Sequence, residues 1–132
     1  MGFSLVGRLG TNNPPFEYYL LADGEGSPYN QALSQTSGRL TKCAATVIPE
    51  FISVCARTLE ATSVTLLPVI RVVETLEFAT TSVATVSTTL IGTKVTLSAD
   101  SSTVTAVATS GVFEITATDV ATNSNVRGLF RR

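Results

Sequence analysis

The chain contains no histidine and no tryptophan. Losing histidine removes the commonest general acid/base and the commonest zinc ligand together. Serine triads, Cys–His dyads and histidine-based metal-hydrolase centres all fall with it. Charge is scarce too: 14% of residues, nine Lys and Arg against ten Asp and Glu, for a net charge of −1. No global field draws such a chain to nucleic acid. Cysteine is limited to Cys43 and Cys55, without C-x-x-C spacing. That makes neither a disulfide scaffold nor a metal site. Two buried free thiols are the simplest reading; pairing would need strands that bring the two Cα atoms within about 7 Å. No apolar run reaches the ~18 residues of a membrane span. Met1–Arg8 lacks the basic start and the apolar length of a signal peptide. Val6 stands where a myristoylation motif needs Ser or Thr. The chain is expected to be made and kept in a cytoplasm-like compartment, with no membrane partner, no cofactor and no metal.

What is present points to order and to sheets. The 132 residues suffice for one domain, or one small domain with an arm. At 44% apolar and with a mean hydropathy of +0.32, the composition is not that of a disordered chain. Its largest excess is in 21 Thr and 15 Val, β-branched residues that suit a pleated surface better than a helix.

Along the chain, residues 1–16 (MGFSLVGRLGTNNPPF) read as an extended N-terminal arm. Their glycines, the Asn pair and Pro14-Pro15 exclude a stable helix. Phe3, Leu5, Val6 and Leu9 make the arm apolar, so it is either a strand added to its own sheet or an arm that docks on a partner. Residues 17–132 read as one all-β domain, a compact β-barrel or β-sandwich. Glu17–Ala22 is a strand followed by dense turn chemistry at Asp23–Pro28. Asn30–Gln35 and Arg39–Cys43 flank a short Gly-containing hairpin loop. In Phe51–Arg57, Ile52, Val54 and Ala56 share one face while Ser53, Cys55 and Arg57 share the other. Pro68, inside the most apolar segment Ser63–Val73, predicts an edge position, a bulge or two strands. Leu76 and Phe78 point inward on the next strand. Thr93–Leu97, Thr103–Thr109, Val112–Thr118 and Val126–Phe130 complete the set, with Phe113, Ile115 and Ala117 inward. Short strands at this spacing indicate a sandwich or barrel.

The residues offer little chemistry. Asp23-Gly24-Glu25-Gly26 lacks the further oxygen ligands of a calcium loop. Glu74 and Glu77 fall on opposite faces of a strand, which separates them as a carboxylate pair. No Ser lies in a G-x-S-x-G elbow. Nothing identifies an enzyme, and no catalytic residue is assigned. Tyr18 and Tyr19 alternate across a strand, so one faces the core and the other a partner. Arg127, Arg131 and Arg132 surround Phe130 in a small basic C-terminus, suited to an acidic protein surface or simply solvated.

The segments LLADGEGSPYNQALSQTSGRLTKC (20–43), PEFISV (49–54), IGTKVTLSADSSTVTAVATSGVFEI (91–115) and NSNVRGLF (123–130) follow an order that resembles the small capsid decoration, or cement, proteins of tailed bacteriophages. The resemblance spans residues 18–130. Cys43 and Cys55 depart from it, standing where small or apolar residues are expected, and no catalytic residue is at stake. The resemblance implies many copies on the outer surface of an expanded head, each bridging major capsid protein subunits, with trimers on local threefold axes favoured. It implies a virion location after synthesis in the host cytoplasm. The contact residues expected are Leu5, Arg8 and Phe16 in the arm, Tyr19 on the first strand of the domain, and Arg131 and Arg132 at the C-terminus. Two other classes stay open: another phage β module (tail-tube, fibre or baseplate), and a carbohydrate- or surface-binding β-sandwich. The missing tryptophan disfavours the last, because sugar platforms favour aromatic faces.

Overall fold

Alternating apolar residues and frequent turns give strands throughout. The structure, a computed structural model, describes residues 2–8 and 15–131. Among the described residues the strands are β1 (Ser4–Arg8), β2 (Phe16–Leu20), β3 (Ala32–Thr36), β4 (Arg39–Lys42) and β5 (Phe51–Ser53). There follow β6 (Leu66–Arg71), β7 (Leu76–Thr81), β8 (Lys94–Val95), β9 (Phe113–Thr118) and β10 (Asn125–Phe130), with a single 3-10 turn at Thr88–Leu90. They form two five-stranded antiparallel sheets, ordered β1-β7-β10-β9-β8 and β2-β6-β5-β3-β4. The chain is thus all-β, as its composition and turn spacing imply. Of the N-terminal segment, Ser4–Arg8 pairs with β7 of its own sheet; residues 9–14 of that segment lie outside the described residues.

The two sheets share one core. Phe78, Phe113, Ile115, Val126 and Phe130 from the first meet Ala32, Ile52 and Ile70 from the second. At its centre Phe3, Phe78, Phe113 and Phe130 pack with ring centroids 5.0–5.5 Å apart, tilted or edge-on as ring quadrupoles prefer. The second sheet also curls on itself. The Ala22 N–H donates to the Leu40 carbonyl at 2.9 Å, and Leu21, Leu33, Leu40, Phe51, Leu67 and Val69 fill the inside of the curl. Strand β5 is therefore covered on both faces, and Phe51, Ile52 and Ser53 are all buried. The β3–β4 hairpin turns through Ser37 and Gly38 with φ of 51° and 78°, the two-residue turn that matches strand twist.

Several expectations are corrected. Pro68 sits in β6, an interior strand between β2 and β5. Its carbonyl accepts from the Val54 N–H at 3.1 Å, one residue past the end of β5, so its missing N–H faces the place where the neighbouring ladder has already stopped. The FISVCAR alternation ends at Ser53, and Arg57 is not on a strand face. Its guanidinium is instead enclosed, donating to Thr65 O (2.8 Å), Glu25 O (3.0 Å) and Ser63 Oγ (3.1 Å). Ala117 points outward, because Arg127 pairs with Ala117 while Gly128 pairs with Ile115. Thr116 is thus an extra residue, and such a bulge reverses the alternation beyond it. Thr103–Thr109 is not a strand; only Val104 makes isolated bridges, to Ser82 and Leu97. One hydroxyl helps explain why: Thr105 Oγ1 accepts from the Val107 N–H at 3.0 Å, a local bond that competes with a ladder, while Thr96 and Thr105, and Ser98 and Thr103, meet through their hydroxyls across the bridged segments. Both cysteines are free, but only Cys43 is buried; Cys55 is exposed.

Candidate functional site

Strands β1 and β2 are the outer strands of their sheets on the same side of the molecule, and the sandwich opens between them. The opening is a groove of about 490 Å3, within the ~300–1,000 Å3 range of ligand pockets. Phe3, Leu5 and Ile70 line it where it meets the core, and Phe16, Tyr18 and Tyr29 stand around it. Pro68 and Cys55 complete one wall. Of the described residues that line it, none is charged.

Alternation explains this lining. Phe16 and Tyr18 lie opposite Ile70 and Pro68 in the β2–β6 register, so all four share the face that looks toward the first sheet. Phe16 is 57% exposed, Tyr18 57% and Tyr29 58%. The same face continues through Leu20 to Leu66, its partner in register, and Leu66 and Val64 are exposed as well. The result is an uncharged apolar stripe along a sheet edge, the kind of surface that marks a docking site. The opposite face of β2 carries Glu17 and Tyr19. Tyr19 packs its ring 4.9 Å from Phe51 and donates its hydroxyl to Glu17 at 2.9 Å. Arg71 grips Glu17 with two hydrogen bonds, 2.9 and 2.8 Å, and lies 4.8 Å over the Phe51 ring. Hydrogen bonding from Arg71 holds the Glu17 carboxyl below its ordinary range. The Glu17 and Arg71 charges are thus paired with each other on the far side of the strand.

The Pro68 carbonyl points toward β5, so Pro68 and Tyr18 form a non-hydrogen-bonded pair of the antiparallel ladder. The N–H and C=O of Tyr18 therefore point away from β6, on the edge of β2 along which the second sheet curls toward β4. The Ala22 N–H, with the same parity, uses that edge to reach Leu40. Beside the groove, the Phe3 N–H donates to Asn30 O at 2.9 Å.

Of the residues singled out in the sequence, Leu5 and Phe16 meet in this groove. Arg8 ends β1 opposite Leu76. Tyr19 lies on the other face, and Tyr18 is the tyrosine that stands out to solvent. Arg131 is away from the groove, 3.4 Å from Glu114, with its N–H bonded to Val112 O at 2.9 Å. Arg132 lies outside the described residues. Sequence reasoning passed over Tyr29, Pro68, Cys55 and the Leu66–Val64 continuation. The aromatic pair Phe16-x-Tyr18, with period two, was the signal available for this face.

A second groove, about 410 Å3, lies on the outer face of the first sheet beside Thr80, Thr118, Asp119 and Arg127. Several of its polar groups are already engaged. Thr80 and Thr118 donate to Ser102 O and Val86 O, each at 2.8 Å. Asp119 accepts from the Asn125 amide side chain and N–H, which lowers its pKa. Among the described residues no three His, Cys, Asp or Glu side chains gather as metal ligands, and no helix is long and apolar enough to cross a membrane. Comparison with protein-family models, with curated proteins and with solved structures finds no match to this chain.

Proposed function

We propose that this chain is a structural virion protein that decorates and stabilises the outer surface of a bacteriophage capsid by bridging major capsid protein subunits. The observation that carries the reading is the uncharged aromatic stripe of Phe16, Tyr18 and Tyr29 around the open mouth of an otherwise well-filled sandwich. Exposed tyrosine and phenylalanine anchors next to a preformed pocket are what protein interfaces concentrate. The segment order that resembles cement proteins supplies the identity of the partner. Physically, a protein that binds an assembled lattice but not its free subunits stabilises assembly by mass action. Bridging subunits adds avidity without requiring a large contact at each one. A surface of few charges and many hydroxyls suits a broad, weakly polar contact.

The test is to mix the purified protein with bare expanded heads. Saturable binding and a raised head-disruption temperature are expected. Heads that neither bind the protein nor gain heat resistance from it contradict the proposal, and rings or tubes formed by the protein alone would transfer the reading to a tail-tube subunit.

A further inference from the structure

Four of the five arginines whose side chains are described hold a carboxylate. Arg39 lies 3.3 Å from Asp23, Arg57 3.4 Å from Glu60, Arg71 2.8 Å from Glu17 and Arg131 3.4 Å from Glu114. Arg127 is the exception, with no carboxylate partner among the described residues. It is exposed, and it lines the groove of about 410 Å3 on the outer face of the first sheet.

The register shows what surrounds it. Arg127 pairs with Ala79 of β7 on one side and Ala117 of β9 on the other, and Ala79 pairs in turn with Ser4 of β1. Directly opposed side chains on one sheet face are close neighbours, so two alanines leave open space beside the arginine, and that space is the groove. The bulge in β9 contributes to it. Gly128 pairs with Ile115, so an unbroken register would set Thr116 against Arg127; the extra residue sets Ala117 there instead. The carboxylates bordering the groove are already taken. Glu77, two residues along β7 on the same face, accepts from Thr116 Oγ1 at 2.9 Å. Glu114, opposite Leu129, holds Arg131. Asp119 accepts from the Ala121 N–H and from the backbone and side-chain amides of Asn125.

A guanidinium offers parallel N–H donors in a planar fork that fits a carboxylate, and such a pair gains strength once a partner excludes water from it. The neighbouring Glu77 and Asp119 limit what can enter. A run of acidic groups or a doubly charged anion meets like charge on both sides, whereas one carboxylate meets the one unpaired guanidinium. We propose that this groove is a carboxylate-binding site, in which the Arg127 fork, between Ala79 and Ala117, receives a single Asp or Glu side chain of a partner protein. The inference rests on the docking role and adds a second contact face to it. Ser4 borders both this groove and the one between β1 and β2, so the two faces adjoin at β1 and give a bridging protein two surfaces to use.

Two arms separate this inference from the capsid reading. The first titrates the isolated protein with a capped alanine pentapeptide carrying one central Glu, with Gln in its place as the control, and follows the arginine side-chain Nε–H signals by NMR. The Glu peptide is expected to shift the Arg127 signal saturably and to leave the four paired arginines unmoved; the Gln peptide is expected to shift none. The second arm measures binding of wild type, Arg127→Gln, Arg127→Lys and Ala117→Leu to bare expanded heads. Both positions are exposed, so the variants are expected to fold as wild type does. Each is expected to bind heads at least tenfold more weakly: lysine keeps the charge without the fork, and Ala117→Leu keeps the fork but fills the space beside it. A response in either arm upholds the site. If the peptide leaves Arg127 unmoved and heads bind all four proteins alike, the site is wrong while decoration stands. If heads bind none of them and the peptide still moves Arg127, the site stands and decoration falls. An unmoved Arg127 together with heads that bind nothing overturns both.

Discussion

Phe3 and Phe16 are the same residue type in opposite surroundings. Phe3 is fully buried against Phe113 and Phe130, whereas Phe16 is 57% exposed at the groove. Phe3→Ala should therefore cost about 3–5 kcal/mol of stability, the range for emptying a buried aromatic site. Phe16→Ala should stay within about 0.5 kcal/mol, as exposed substitutions do, while weakening head binding. Denaturant midpoints of the two variants check this, and equal losses would show that the groove ring is a structural element. The cysteines give a second contrast. Burial pushes the Cys43 thiol up and shields it, while Cys55 is open. A thiol reagent should modify one cysteine in the native protein and both after unfolding. Rapid modification of two in the native state would contradict the core around Cys43. These differences are only half visible in the sequence. Apolarity is plain at both phenylalanines, but which one is covered depends on β1 joining its own sheet, a choice that local composition leaves open.

At the scale of the element, the alternation that placed Leu76 and Phe78 inward on β7 holds because that strand is regular. The same argument fails at Ala117, where one extra residue in β9 reverses the faces, and in Thr103–Thr109, where a hydroxyl bonds locally. Neither a bulge nor such a bond has a signature in a pattern of apolar and polar residues. The tyrosine pair shows a third limit. Period two establishes that Tyr18 and Tyr19 face apart, and only the curl of the second sheet decides that Tyr19 turns toward Phe51. Gly128 in β10 is another tertiary effect. A Cβ there would sit 2.2 Å from Glu114 O and 2.7 Å from the Phe113 ring. Gly128→Ala should destabilise by about 1–3 kcal/mol through overpacking, visible as a lower unfolding midpoint; an unchanged midpoint would mean that β9 and β10 are less closely apposed. The Glu17–Arg71 pair clips β2 to β6. Because the Glu17 pKa is lowered from 4.5 by its hydrogen bonds to Arg71, the pair's stabilisation is complete above the unfolded value and is lost as pH falls through the folded one. With side chains 29% and 52% exposed, screening limits it to about 1 kcal/mol or less. Glu17→Gln should remove that increment at neutral pH and flatten the stability profile below about pH 4.5. An unaltered acid limb would show that the pair adds nothing.

For the whole molecule, the division of labour is between a filled sandwich and one unfilled side. Five of the six phenylalanines are enclosed, and the sixth stands with Tyr18 and Tyr29 where β1 and β2 leave the core accessible. A body so arranged is filled where the two sheets meet and apolar on its open side. Under the proposed function, this open side is the face turned toward a capsid. Electron cryomicroscopy of decorated heads tests it most directly, at a resolution that resolves strands. This domain is expected on the outer surface, with Phe16, Tyr18 and Tyr29 against major capsid protein. A decorated head with that groove facing solvent, and another side of the sandwich against the shell, would contradict it.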